Sequence, residues 1–435
     1  MIRRLRVRAF DLKHLIYLQL FLVCAVLFVT TELGLPATLM NLTDGIISFL
    51  ACVVIMRNFF SLGRIRLTIV DVAVLLFLIY ALTTSVVNAV NPLQVVWAFR
   101  VTFRYYIFYY CCIALLGKKD IQTIMRMFEI LFSVNIVMVL FEYFVQGKDG
   151  DYLGGIFGVE QGSAGYTNVF LTIMLIYEMQ QYLCHRINLC SLVYYFAVSL
   201  TIASLAELKF LYIEAVLIVV CSVVLCRPNM RTYSLLLVSL GGLFVGLQML
   251  RLVFPESYDL LISGEGTDDY LSASWTGGRE LGRTTAFQFI DSHFFASQAI
   301  HNAFHVGSGD IVTNRLFGFG FGSAEPSALV QNPFAINYSE TQYGAFEFAD
   351  RYLELGFVGL GLYVAIYIAM FIHASQKSAV NSEGTMWNNV VKILIPIILF
   401  NVWYGSLRTE YSYLLFFILA VPRVWNIERP KIQER

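Results

Sequence analysis

"TIVDVAVLLFLIYALTTSVVN", residues 68–88, carries a single charged side chain, Asp71. A helix rises 1.5 Å per residue, so about 20 apolar residues cross the ~30 Å hydrocarbon layer of a bilayer. The stretch has that length and that composition, and it reads as a membrane-spanning helix. Runs of the same kind surround it, at 15–33 and 38–56 before it and at 92–116 and 121–145 after it. Twelve occur in all, the last three at 352–373, 388–404 and 408–425. The whole chain is 58% hydrophobic and 14% charged, where soluble domains carry about 25% charge. The expected fold is all-α: one polytopic transmembrane domain over residues 1–435 with about twelve membrane helices. No small-residue cleavage site follows the first run, which therefore reads as a helix and not as a removable signal.

Lysine and arginine placement sets the orientation. With the N-terminus inside, cytoplasmic segments hold 19 of the 30 cationic side chains, Arg3, Arg4, Arg6 and Arg8 at one end and Arg429, Lys431 and Arg435 at the other. Short outer connections hold only Lys148, Lys209 and Arg408. Both termini are expected in the cytoplasm. The formal net charge is zero, which gives no footprint for nucleic acid. All eight cysteines fall in expected helices or cytoplasmic turns, and no CxxC pair occurs, so neither a disulfide framework nor a thiolate metal site is expected.

One connection is long: residues 255–351, on the outer side between the ninth and tenth runs. Loops of this length usually carry function. Its first part, 255–275, is acidic and reads as irregular. "TGGRELGRTTAF", residues 276–287, then opens a helical pattern in which Phe287, Ile290 and Phe294 recur at steps of three and four. Thr276 is its expected cap, and Arg279 and Arg283 would occupy its first two turns. Two guanidinium forks beside free backbone N–H groups form a phosphate or diphosphate site. The plainer alternative pairs Arg279 with a loop carboxylate such as Glu280 or Asp269 and leaves Arg283 in water.

Other charges allow two readings each. Arg100 and Arg104 share a face of the fourth run; they line a polar cavity or pair with Glu142 or Asp71. Lys209 at the hairpin between runs seven and eight either adds an inward cation or snorkels to headgroups. Glu347, Asp350, Arg351 and Glu354 share a face at the start of the tenth run. Glu347 and Arg351 form an i,i+4 pair, and Glu347 or Asp350 could serve as a general base, unless this is a solvated helix start. His301 and His305, with His293 upstream, have metal-ligand spacing, but Asn302 stands where a zincin needs Glu, so no metal is expected. Gly318, Gly320 and Gly322 alternate with Phe317, Phe319 and Phe321, which suits a close backbone approach by an apolar wall.

"GGRELGR … LFGFGFG … RYLELGFVGLGLY" after nine earlier runs resembles the O-antigen polymerase and ligase superfamily, integral membrane glycosyltransferases of the C type. The resemblance covers the topology, with sharp matching over residues 277–361. Gly278-Arg279 matches the family's loop "GR", Gly318, Gly320 and Gly322 its "GxGxG", and Glu354, Gly356 and Gly359 its "ExGxxG". The family's hairpin arginine falls on Lys209. The ligase branch has a histidine where this chain has Ala345, and the Rx10G repeat of some polymerases is missing at Ile290 and Phe294. The resemblance implies a repeat-unit polymerase for O-antigen, capsule or exopolysaccharide in the cell inner membrane. Its partner would be an undecaprenyl-diphosphate-linked oligosaccharide, with a chain-length regulator left open. No cofactor or metal is expected. Arg279 would be catalytic at the diphosphate, with Arg283, Lys209, Arg100, Arg104, Arg351, Gly318 and Gly320 as binding residues and Glu347 or Asp350 as base. Ligase-type transfer and a lipid-linked glycan flippase are the alternatives; the long loop after run nine, and not after run six, disfavours the flippase.

Overall fold

The computed structural model of the chain describes residues 9–61, 67–225, 230–262, 264–273, 276–376 and 382–426. Of the 19 cytoplasmic cations counted above, Arg3, Arg4, Arg6, Arg8, Arg64, Arg66, Arg227, Lys377, Arg429, Lys431 and Arg435 lie outside the described residues, as does Cys226. Every described element is helical, and a helix stands at each of the twelve apolar runs. The first nine are α1 (Ala9–Thr31), α2 (Met40–Ser61), α3 (Ile69–Val87), α4 (Pro92–Leu115), α5 (Lys118–Phe144), α6 (Ser163–Leu183), α7 (Leu189–Leu205), α8 (Lys209–Leu225) and α9 (Met230–Val253). Short helices follow: α10 (Pro255–Ile262), α11 (Gly264–Ser272), α12 (Ala286–Ile290), α13 (Gln298–Phe304), α14 (Ile311–Phe317) and α15 (Pro333–Tyr338). The last three runs are α16 (Glu347–Gln376), α17 (Ser382–Tyr404) and α18 (Ser412–Asn426).

Six of the described helices, α1, α3, α5, α9, α16 and α17, are long and apolar enough to cross a membrane. On α9, Leu237 and Leu252 are 76% and 83% exposed, and Leu240 and Phe244 stand out beside Leu237. Apolar surface left in water costs about 25 cal/mol per Å², so such a face fits hydrocarbon. The lone charge of the opening stretch sits at a helix start, where the macrodipole favours an anion. Thr68 and Asp71 form a capping box there. The Asp71 carboxylate also accepts from Arg423 of α18 at 2.7 Å and from Tyr110 of α4 at 2.9 Å.

Helix α16 packs on α3, α14 and α17. It is two helices joined at Gly356, whose φ of 65° breaks the ladder. Three carbonyls at the break are met from outside the helix, as an apolar setting demands. Phe319 N–H donates to Leu353 O at 3.1 Å, Gly320 N–H to Glu354 O at 2.7 Å and the Tyr80 hydroxyl to Leu355 O at 2.9 Å. The two glycine motifs of the sequence are thus halves of one crossing. A methyl at Gly318 would lie 2.3 Å from the Glu354 carbonyl carbon, and one at Gly356 2.3 Å from that of Leu316. Both glycines also hold positive φ. Gly318→Ala or Gly356→Ala is therefore expected to cost more than the roughly 1–3 kcal/mol of backbone strain alone, whereas Gly361→Ala, with nothing near its Cβ position, is tolerated. Survival of monodisperse protein after heating in detergent checks this; equal heat profiles for all three variants would contradict it.

Two expectations for the long connection are corrected. Residues 255–262 and 264–272 are helical, not irregular: Pro255 opens α10 and Glu256 sits in its first turn, both favourable at a helix start. The helix expected from Thr276 begins only at Ala286 and continues as a π-type turn, Asp291–Phe295. Gly277 and Gly278 hold φ of 64° and 78°, and Gly282 passes so close to Ser272 that a Cβ would lie 2.2 Å from its carbonyl oxygen. The amphipathic period marks a segment packed on one face, but glycine chemistry upstream turns the chain.

Candidate functional site

A cavity of about 310 Å³ opens where the α7–α8 hairpin, α6, α11 and the α17–α18 connection meet. Lys209, the first residue of α8, lines it with Glu207, Asp151, Asn168, Tyr270 and Tyr404. Glu207 turns the hairpin at a φ of 55°. Its carboxylate lies 3.0 Å from Lys209 Nζ and accepts from the Ser257 hydroxyl of α10. Tyr270 and Tyr404, from α11 and α17, place their hydroxyls 3.0 Å apart.

Arg283 meets the same two rings. Its Cζ lies 4.1 Å from the ring centre of Tyr404, 4.6 Å from that of Phe346 and 4.9 Å from that of Tyr270. Its Nε donates to Tyr404 O at 3.0 Å. Its two terminal nitrogens make no hydrogen bond to the described residues. An aromatic cage thus holds the guanidinium while leaving its outer fork available, with cation–π attraction of about 0.5–2 kcal/mol per good contact. Lys209 Nζ is 5.5 Å from the ring of Tyr270. The structure therefore joins Arg283 and Lys209 through Tyr270. Arg279, given the leading part on sequence grounds, stands exposed on the turn after Gly277 and Gly278, and no ion pair or side-chain hydrogen bond ties it to the described residues.

The acidic face at the start of α16 is buried, not solvated. Glu347 is 1% exposed; Asp350, Arg351 and Glu354 are fully buried. Arg351 Nε contacts Glu347 Oε1 at 2.9 Å, and its Nη1 lies 3.6 Å from both Asp350 and Glu354. A second arginine enters from the α17–α18 connection. Arg408 reaches Asp350 at 3.3 Å and Glu347 at 3.8 Å, pairs with Glu325, and donates to Gly344 O at 3.0 Å. Two guanidiniums serve four carboxylates. Burial alone would lower the pKa of Arg408, but Asp350, Glu325, Glu347 and Glu354 outweigh it and hold the group well above its ordinary value. The Glu354 carboxylate also accepts the N–H groups of Gly322 and Ala324, at 3.1 and 3.2 Å.

This cluster corrects the expected base. The space beside Glu347 and Arg351 is about 10 Å³, no more than one water needs. Glu347 is further locked by Leu407 N–H at 3.1 Å. No sugar hydroxyl reaches Glu347 or Asp350 in this conformation, and Arg351 holds carboxylates in place of a ligand. The amides of Gly318 and Gly320 are likewise occupied, by Asn314 O at 2.8 Å and Glu354 O at 2.7 Å.

Arg100 and Arg104 do share a partner, but it is Asp44 of α2, not Glu142 or Asp71. Arg104 also contacts Glu410 at 3.3 Å and the Arg408 carbonyl at 2.8 Å. Glu142 instead accepts from Gly155 N–H at 2.8 Å. His301 is buried against Phe319 and Asn314, His293 stacks on Phe289, and His305 ends α13 in a left-handed turn. The three histidines occupy separate settings.

Sequence reasoning missed Arg408, Glu325, Asp44, Glu410, Tyr270 and Tyr404. The signal available for two of them was "RTE", residues 408–410, two charges in a short connection between apolar runs. The chain matches no protein-family model and no curated protein.

Proposed function

We propose that the chain is a membrane glycosyltransferase that polymerises polysaccharide repeat units, with a polyprenyl-diphosphate-linked glycan as donor. The observation that carries this reading is the meeting of Arg283 and Lys209 at Tyr270, a ring of the cavity that Lys209 lines with the carboxylates of Glu207 and Asp151. A diphosphate leaving group needs cations where its charge develops, and preorganised ones stabilise the transition state more than the ground state. Arg283, with its free fork, grips two phosphate oxygens, and Lys209 adds a point charge. Asp151, exposed on the cavity wall, takes the proton of the acceptor hydroxyl as that oxygen bonds to the anomeric carbon. The C–O bond to the diphosphate breaks, and the diphosphate leaves with the bonding electrons. Arg279, on its exposed turn, assists by long-range attraction. The buried cluster around Arg351 and Arg408 fixes the outer connection on α16 and takes no part in the chemistry.

Twelve membrane crossings, cytoplasmic termini, an outer 255–351 connection and the inner membrane as location belong to this proposal. Exposed Ser292, replaced by cysteine, is expected to react with a membrane-impermeant maleimide on intact spheroplasts, above the signal of the unaltered chain. Labelling only after lysis would put the cavity on the side without donor lipid and end the reading. The activity itself is tested by deleting the gene: the surface glycan should collapse from a ladder to single repeat units and recover with the wild-type chain. An unchanged ladder would refute it.

A further inference from the structure

A second cavity, of about 660 Å³, lies between the C-terminal end of α3 and the α13–α14 segment. Its size is that of a small-molecule site. Its lining differs in kind from that of the cavity at Lys209. Tyr80 and Phe317 give ring faces, and Thr83, Asn88, His305, Ser308 and Thr313 give polar groups, while no Lys, Arg, Asp or Glu lines it among the described residues.

The hydrogen-bonding capacity left open there is mixed. The Thr83 hydroxyl donates to Ile79 O at 2.8 Å and keeps lone pairs to accept with. Asn88 Nδ2 donates to Thr84 O at 2.9 Å, leaving Oδ1 as an acceptor. Ser308 Oγ accepts from Asp310 N–H at 3.1 Å and keeps its own proton to donate. The exposed His305 ring makes no hydrogen bond to the described residues, and it can both donate and accept. Sugar hydroxyls also do both, and their C–H faces lie well on aromatic rings. An anionic ligand would find no counter-charge.

We propose that this cavity binds the uncharged sugars of a second lipid-linked glycan; its role as the acceptor site rests on the polymerase reading above. The donor is held by charge at Lys209 and Arg283. The acceptor is held at α3 by neutral hydrogen bonds and ring faces, and the sugars it takes there carry no carboxylate. His305 of "HNAFH" thereby acquires a ligand.

The test uses the full chain in nanodiscs and saturation-transfer NMR. The probes are the neutral trisaccharides maltotriose and chitotriose and the anionic trisaccharide sialyllactose. Transfer to a neutral probe is expected in the wild type. It should fall at least fivefold in Thr83→Trp and in Ser308→Trp, which fill the cavity from opposite walls, and sialyllactose should receive little. No transfer to either neutral probe, equal transfer in both variants, or equal transfer to sialyllactose would overturn the site. In cells, Thr83→Trp at wild-type abundance should shorten the glycan ladder; a normal ladder would overturn the acceptor role. An unchanged ladder on gene deletion would instead defeat the polymerase reading and leave the NMR result standing.

Discussion

Replacing Arg351 by alanine is expected to abolish accumulation of folded protein. Arg351 is fully buried and touches Glu347, Asp350 and Glu354. Without it, Arg408 alone faces four carboxylates in an environment where water cannot screen them. Breaking a buried pair by removing one partner commonly costs about 3–5 kcal/mol, because the remaining charge is left uncompensated. The same cluster ties Glu325 and Gly344 of the long connection to α16 and to the α17–α18 turn, so its loss loosens that connection as well as the centre. Arg351→Met combined with Glu347→Gln should recover much of the loss, since charge and counter-charge go together while the volume stays filled. Membrane abundance by blot and monodispersity in detergent are the readouts. A wild-type level of monodisperse Arg351→Ala protein would contradict the structural role.

Arg283→Ala is expected to reduce polymer formation by about 10²–10³, the usual cost of one preorganised charge-stabilising group, while the protein still folds. Half-buried Arg283 is held by three rings and one backbone bond, not by carboxylates, so its removal strands no buried charge. Arg283→Lys should restore only part of the activity: ammonium keeps the charge but neither fits flat between the rings nor grips two oxygens at once. Arg279→Ala should cost far less, because nothing among the described residues fixes that side chain. A glycan ladder from a complemented deletion strain, normalised to protein abundance, separates these cases. A normal ladder from Arg283→Ala would remove the cation assignment; a greater loss from Arg279→Ala than from Arg283→Ala would return the leading role to Arg279.

Local chemistry made the helices legible. The run at 68–88 fills one helix because length and apolarity are properties of the stretch itself, and Thr68 and Asp71 announce its start. The i,i+4 pair of Glu347 and Arg351 is likewise fixed by helical spacing. Periodicity also found Phe287, Ile290 and Phe294, but it extended their helix backwards across Gly277, Gly278 and Gly282, whose backbone freedom no period reveals. Where long-range contacts decide, the sequence was silent. That Arg351 is buried, and that Arg408 and Glu325 join it, depends on which helices meet. That Arg100 and Arg104 choose Asp44 depends on α2 packing against α4. That Arg283 packs on Tyr270 and Tyr404, two rings of the Lys209 cavity, and on Phe346 depends on three segments far apart in the chain. The sequence by itself determined an apolar helical chain with one long polar connection, because hydropathy and helical spacing act within a stretch. Only the tertiary structure decided which charges meet inside and which guanidinium keeps an open fork, because that is settled by distances between segments far apart in the chain.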